Sequence, residues 1–425
     1  MWQRKRVEWT RLDNASKHFP AVCNDRDTKV FRLVCELCET VEPGALQQAL
    51  DMTVEHFPLY KSVLRRGVFW YYLETSEIHP DVEFEDNPVC APIYKKDNKN
   101  LLFRVFYFGR RINLEIFHAL SDGTGAVWFM QTLIYHYLLL KYKDKFTGNN
   151  PQLKYNASIS KKMDDSFGRY FNGKDSRKPA KTEKEAPSLR VYHIRGTRMD
   201  DNRMQVIEGT MSASAVLEKA HEHHTTLTVY LASLFIYAIY NEMPAHEQKR
   251  SIVLSIPINL RQFFKSETAR NFFSTMHVGH TFTTGRLGFE NIIESVTEGF
   301  KRELTEERLM RHLNQLMALE KQPFARVAPL PFKDYSIRIA NKIKDRGITA
   351  ALSNIGRIDM PIEFDSYIKQ FSVFTSARRP QFCVCTYRDR LVVSFTSPFR
   401  ETEIQRNFFK LLAEKGIDIE ITSNL

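Results

Sequence analysis

The chain has 425 residues, more than one ordinary hydrophobic core organises, so at least two units are expected. Hydrophobic residues at 43%, aromatics at 12% and charged residues at 26% give the balance of a packed globular protein and exclude a disordered or fibrous one. Lys and Arg exceed Asp and Glu by 11, which suits an anionic partner (nucleic acid, anionic lipid or a phosphorylated small molecule) without choosing among them.

The opening Met1-Trp2-Gln3-Arg4-Lys5-Arg6 is charged and has no apolar signal-peptide core behind it, so cytoplasm is the expected location. The first periodic segment is an apolar run over 30–37, followed by Pro43 and a helical pattern of Leu46, Ala49, Leu50 and Val54 up to Phe57. Strand-like runs follow at 101–108 and 112–117, and the short connection Gly109-Arg110-Arg111 predicts a hairpin between them. Residues 124–142 then carry Val127, Met130, Leu133, Ile134, Tyr137 and Leu138 at helical spacing.

From 146 to 187 the composition turns to Lys, Asp, Asn, Gly, Ser and Pro, the mark of a linker. This divides the chain into 1–145, a polar linker at 146–187, and 188–425. The second part has strand-like runs at 205–211, 251–256, 370–375, 381–387 and 391–396, and helical patterns at 212–223, 226–243, 289–319 and 402–412. The richest apolar stretch, 227–239, falls short of the roughly 20 residues a membrane span needs.

The informative segment is Phe117-His118-Ala119-Leu120-Ser121-Asp122-Gly123-Thr124-Gly125. A histidine ends a strand, an aspartate follows four residues later, and two glycines bracket the turn into a helix. Imidazole is the side chain whose ordinary pKa suits proton abstraction near neutral pH. Glycines there permit positive φ and close approach of a substrate, and Asp122 can fix the loop through a charge pair.

The spacing of His118, Asp122 and Gly123 resembles the HxxxDG signature of the chloramphenicol acetyltransferase-like acyltransferase superfamily, which includes standalone alcohol acetyltransferase-like proteins and peptide-synthetase condensation domains. Pro257-Ile258-Asn259-Leu260-Arg261 with the downstream Asn271 is similar to a second segment of that superfamily, and Leu352-Ser353-Asn354-Ile355-Gly356 to a third. Members often have two adjacent histidines, whereas Phe117 stands first here. That departure, and the lack of carrier or adenylation segments beside the chain, favour a freestanding acyltransferase over a typical condensation domain.

The resemblance implies an α/β (α+β) fold of two chloramphenicol acetyltransferase-like subdomains, each a mixed sheet with flanking helices, with an active-site tunnel between them. It implies His118 as the catalytic base, an architectural pair of Asp122 with Arg261 beside Gly123, and Ser353, Asn354 or Gly356 near substrate or oxyanion. The expected reaction moves an acetyl or other short to medium acyl group from acyl-CoA to a hydroxyl acceptor. The alternatives are a phosphopantetheine donor on an acyl carrier protein with an amine or alcohol acceptor, and a non-catalytic relative. No permanently bound cofactor is expected.

Other signals are set aside. Cys35 and Cys38 lie three apart on a strand and so point to opposite faces, which with the pair Cys383 and Cys385 makes a poor zinc site. The six cysteines, also including Cys23 and Cys90, are expected to be free thiols. His221, His223, His224, His277 and His280 lack the helical frame of a zinc hydrolase. The lysine-rich 143–187 segment alternates acids with bases and lacks the interleaved aromatics of a nucleic-acid platform.

Overall fold

A computed structural model describes residues 8–96, 98–146, 151–173, 191–283, 285 and 287–424. The run 174–187 of the expected linker lies outside the described residues.

The first half is organised on a five-stranded sheet. The strand Val30–Leu37 is buried along its whole length, so it must be a central strand, and it pairs antiparallel with Arg111–Phe117. Phe103–Phe108 joins Arg111–Phe117 as the expected hairpin, with Gly109 at φ +54 in its turn, and Val82–Phe84 closes that edge in parallel. The helices Pro43–His56 and Gly123–Lys141 pack against each other and bury Leu46, Leu50, Phe129 and Leu133 in the same core.

The other edge of this sheet comes from far away in sequence. Ile368–Thr375, within the part expected to form the second subdomain, runs antiparallel to Val30–Leu37 with Phe371 opposite Cys35. A strand from the second half thereby completes the first sheet.

The second half is built on a seven-stranded mixed sheet ordered Phe273–His280, Ile252–Asn259, Ala350–Arg357, Gln381–Tyr387, Arg390–Ser397, Gln205–Ser212 and Glu420–Ser423. Ala350–Arg357 lies parallel to both of its neighbours, and every other pair is antiparallel. The buried helix Leu227–Asn241 packs with Phe289–Glu303 and Glu403–Ala413 over the second core. The pattern expected as one helix over 289–319 is two, because the Thr305 side chain accepts a hydrogen bond from the Arg308 amide and caps a new helix, Glu306–Lys321, whose first turn carries Glu306 and Glu307.

A three-stranded sheet of Trp9–Arg11, Tyr71–Thr75 and Ser62–Arg66 flanks the first half. The two halves are stitched near the crossing strand: Arg111 contacts Glu208 at 3.0 Å and Glu36 at 3.3 Å, and Lys369 contacts Glu36 at 3.2 Å. Among the described residues no helix is long and apolar enough to cross a membrane, and no three or more metal-ligating side chains converge. All six cysteines are free thiols.

Candidate active site

His118 follows directly on the strand Arg111–Phe117, and its backbone amide donates to the Lys29 carbonyl at 2.8 Å, so the sheet edge fixes where the residue leaves the strand. The imidazole is clamped by aromatics. Phe19 stacks on it at 4.3 Å between centroids and 15° between planes, while Phe31 and Phe273 lie tilted at 5.0 and 5.4 Å. These rings hold χ1 and χ2 and leave one edge of the imidazole to a cavity of about 380 Å³.

Hydrogen bonds settle the tautomer. Asp13 accepts from the Ser16 hydroxyl at 2.7 Å, and Ser16 Oγ in turn accepts from Asn271 Nδ2 at 2.8 Å. Asn271 Nδ2 also donates to the His118 carbonyl at 2.9 Å, so the amide oxygen is the atom that faces His118 Nδ1, at 3.2 Å. A carbonyl oxygen can only accept, hence Nδ1 carries the proton and Nε2 carries the lone pair. Among the described residues Nε2 has no protein hydrogen-bond partner. Burial pushes the imidazole below its ordinary pKa, opposed by the charge of Asp122 and by hydrogen bonds including that to Asn271. Near neutral pH it is therefore an unprotonated base.

Asp122 does not face the imidazole. It is the N-cap of Gly123–Lys141, with Oδ1 accepting from the Gly125 amide at 3.0 Å. Its Oδ2 accepts from Arg261 Nη1 at 2.7 Å and from the Phe272 amide at 2.8 Å. Arg261 is spent equally fully: Nη2 donates to the carbonyls of Thr268 at 2.8 Å and Arg270 at 2.6 Å, and the guanidinium lies over Trp128. The pair thus pins the motif loop to the segment 268–272, the same segment that presents Asn271.

Neither motif glycine has positive φ, contrary to the expectation from the turn. Gly125 is required for closeness instead. A Cβ there would run into the Ala269 carbonyl oxygen and the Ser121 hydroxyl, which themselves bond at 2.6 Å. A Cβ on Gly123 would meet only the mobile end of Ile355.

Ser353, Asn354 and Gly356 lie on the far wall of the cavity. The stretch is part of the strand Ala350–Arg357, with a register shift between Asn354 and Gly356 and φ +83 at Gly356. The Asn354 side chain is engaged at both ends, donating to Thr228 Oγ1 and accepting from the Gly356 amide, each at 2.8 Å. It shapes the wall and has little left for a ligand. The cavity is therefore walled from the first half by Phe31, His118 and Gly123 and from the second by Asn259, Phe273 and Ser353. A larger hollow, about 820 Å³, opens between Trp9, Trp70 and Arg326 and shares no lining residue with it.

No family profile and no curated protein sequence matches the chain. Solved structures do. Polyketide synthase associated protein 5 from Mycobacterium tuberculosis is 13% identical with a TM-score of 0.62, over 97% of this chain and 98% of that one. The trichothecene 15-O-acetyltransferase TRI3 from Fusarium sporotrichioides is 9% identical with a TM-score of 0.62, over 98% and 96%. The starter condensation domain of rhizomide synthetase, in complex with C8-CoA, is 13% identical with a TM-score of 0.62, over 93% of each chain.

The fold is that of the chloramphenicol acetyltransferase-like acyltransferases and condensation domains. Within that two-subdomain architecture His118 stands between the two sheets, at the end of a strand of the first and against the wall formed by the second. The likeness covers 93 to 98% of this chain.

Proposed function

We propose that the protein is an acyltransferase that moves an acetyl or other short to medium acyl group from a CoA thioester to a hydroxyl acceptor, with His118 as general base. The observation that carries this reading is the Nδ1-protonated imidazole, held by Asn271, with its Nε2 lone pair unpaired beside the cavity between the halves. Nε2 takes the acceptor's proton as its oxygen attacks the thioester carbonyl carbon. The tetrahedral oxyanion collapses, the C–S bond breaks, and the proton on Nε2 passes to the leaving sulfur, giving an ester and free CoA with His118 neutral again. Both substrates meet directly, so no protein nucleophile is needed and positioning supplies much of the gain.

For the oxyanion, the Ser353 hydroxyl and the amides of Gly123 and Thr124 in the first turn of the motif helix are the candidates. Gly125 is excluded because its amide is already given to Asp122. The surplus of basic residues suits the phosphates of CoA. The neighbour with bound C8-CoA supports a CoA donor, and its being a condensation domain keeps a carrier-bound phosphopantetheine thioester as the rival.

Thiol release from a panel of acyl-CoAs, with and without alcohols and amines, tests this. Release that depends on an added alcohol is expected. Release only from a carrier-bound thioester shifts the donor to the rival reading, and no release from either overturns the assignment.

Asn271→Ala is expected to lower kcat about tenfold or more with little change in KM, because Nε2 and Nδ1 then compete for the proton. The Asn271 hydrogen bond raises the His118 pKa, so its loss should also move the acid limb of the pH–rate profile to lower pH. An unchanged kcat and profile would show that the aromatic clamp alone positions the ring.

A further inference from the structure

The helix Leu330–Asp345 is inside out. Three of its polar side chains reach back to the protein: Asp334 accepts from the Tyr71 hydroxyl at 2.8 Å, Arg338 Nε donates to the Ala21 carbonyl at 2.6 Å, and Lys344 Nζ donates to Thr275 Oγ1 at 3.1 Å. Four of its apolar side chains face out, while Leu330 is buried and Ile337 half-buried. Phe332 is 70% exposed, Tyr335 65%, Ile339 44% and Ile343 62%. At helical spacing these four fall within ~80° of the circumference, a continuous stripe.

The stripe extends beyond the helix. The hairpin turn carrying exposed Val68 and Phe69 is tied to it by the Leu330 amide on the Val68 carbonyl and Lys333 Nζ on the Phe69 carbonyl, both at 2.8 Å. Scattered exposed apolar residues are ordinary on a protein surface, but a contiguous row on an otherwise inverted helix marks an interaction face.

Charge says what covers it. Residues 321–346 carry seven Lys or Arg and two Asp. Asp334 is buried and accepts from the Tyr71 hydroxyl, and Asp345 pairs with Arg378 at 2.9 Å, so neither carboxylate lies in the stripe. Lys342 lies on one border of the stripe and Arg346 at its C-terminal end, both exposed, and neither forms an ion pair among the described residues. Apolar and aromatic side chains in a plane with cations at the border match a bilayer surface, where the rings sink to the headgroup level and the bases meet anionic lipid. We propose that the face formed by Leu330–Asp345 and the turn at Val68 and Phe69 seats the protein on an anionic membrane surface, independently of the reaction it catalyses.

Flotation of the full chain with vesicles of phosphatidylcholine alone, and of phosphatidylcholine with about a third phosphatidylglycerol, tests this. The chain should float with the anionic vesicles and much less with the neutral ones, and added salt should weaken binding. Two variants separate the contributions: Phe332→Ser with Ile339→Ser and Ile343→Ser, and Lys342→Glu with Arg346→Glu. Each should lower the bound fraction about tenfold or more with an unchanged melting temperature, since the replaced side chains are exposed. Failure of the parent chain to float with anionic vesicles, or binding unaffected by the charge reversal, overturns the proposal. So does a dimer of the parent chain, without vesicles, that the serine variant dissociates.

Discussion

His118→Ala is expected to lower acceptor-dependent thioester turnover by about 10²–10⁴-fold, the usual contribution of a positioned general base. The variant should keep its fold, because the ring it removes stands at a cavity wall and the clamp of Asp122 with Arg261 is untouched. KM for the thioester should change little, since the imidazole acts on the attacking proton and not on the donor's binding. The pH profile gives a second reading of the same residue. Burial lowers the His118 pKa from 6.5, and a base works only when unprotonated, so activity should persist below pH 6.5 and fall along a limb that vanishes with the imidazole. An acid limb above pH 6.5, or turnover that survives the substitution, would remove His118 from the chemistry.

The sequence already showed the site loop because the loop is local. His118, Asp122 and Gly125 lie within eight positions, and strand, tight turn and helix each leave their own period in that stretch. The Asp122 partner was accessible only through the resemblance, because 139 residues separate it from Arg261 and no periodicity reports a contact at that distance. The chain Asp13, Ser16, Asn271 was missed for the same reason. Nothing in residues 11–20 says that a short helical turn tucks a serine under the loop that carries His118, 255 residues from its partner.

The crossing strand shows a different limit. Its β character was plain over 370–375, but strand propensity does not name a sheet, and its partner Val30–Leu37 lies in the other half. Helix Leu330–Asp345 went unread although Phe332, Tyr335, Ile339 and Ile343 recur at helical spacing. Reading that row as a core face would have turned the helix the wrong way round, since here the protein buries the polar side.

Asp122→Asn is expected to cost stability before it costs chemistry. Both side chains of the pair are almost fully buried, 5% exposed for Arg261 and 6% for Asp122. The carboxylate accepts three hydrogen bonds, from Gly125, Arg261 and Phe272, and asparagine can place only one acceptor oxygen there, so its amide must point a donor at a donor. Breaking one side of a buried ion pair costs about 3–5 kcal/mol, which for a protein of this size lowers the melting temperature by about 3–6 °C. Activity should fall through displacement of the segment 268–272, which carries Asn271, and partial recovery at low temperature would show that the loss is conformational. Asp122 also raises the His118 pKa, so a small move of the acid limb to lower pH is expected in the same variant. The proportion decides the role: a large drop in melting temperature with a small pH shift makes Asp122 a clamp, whereas an unchanged melting temperature with a displaced profile would make it the group that tunes the base directly.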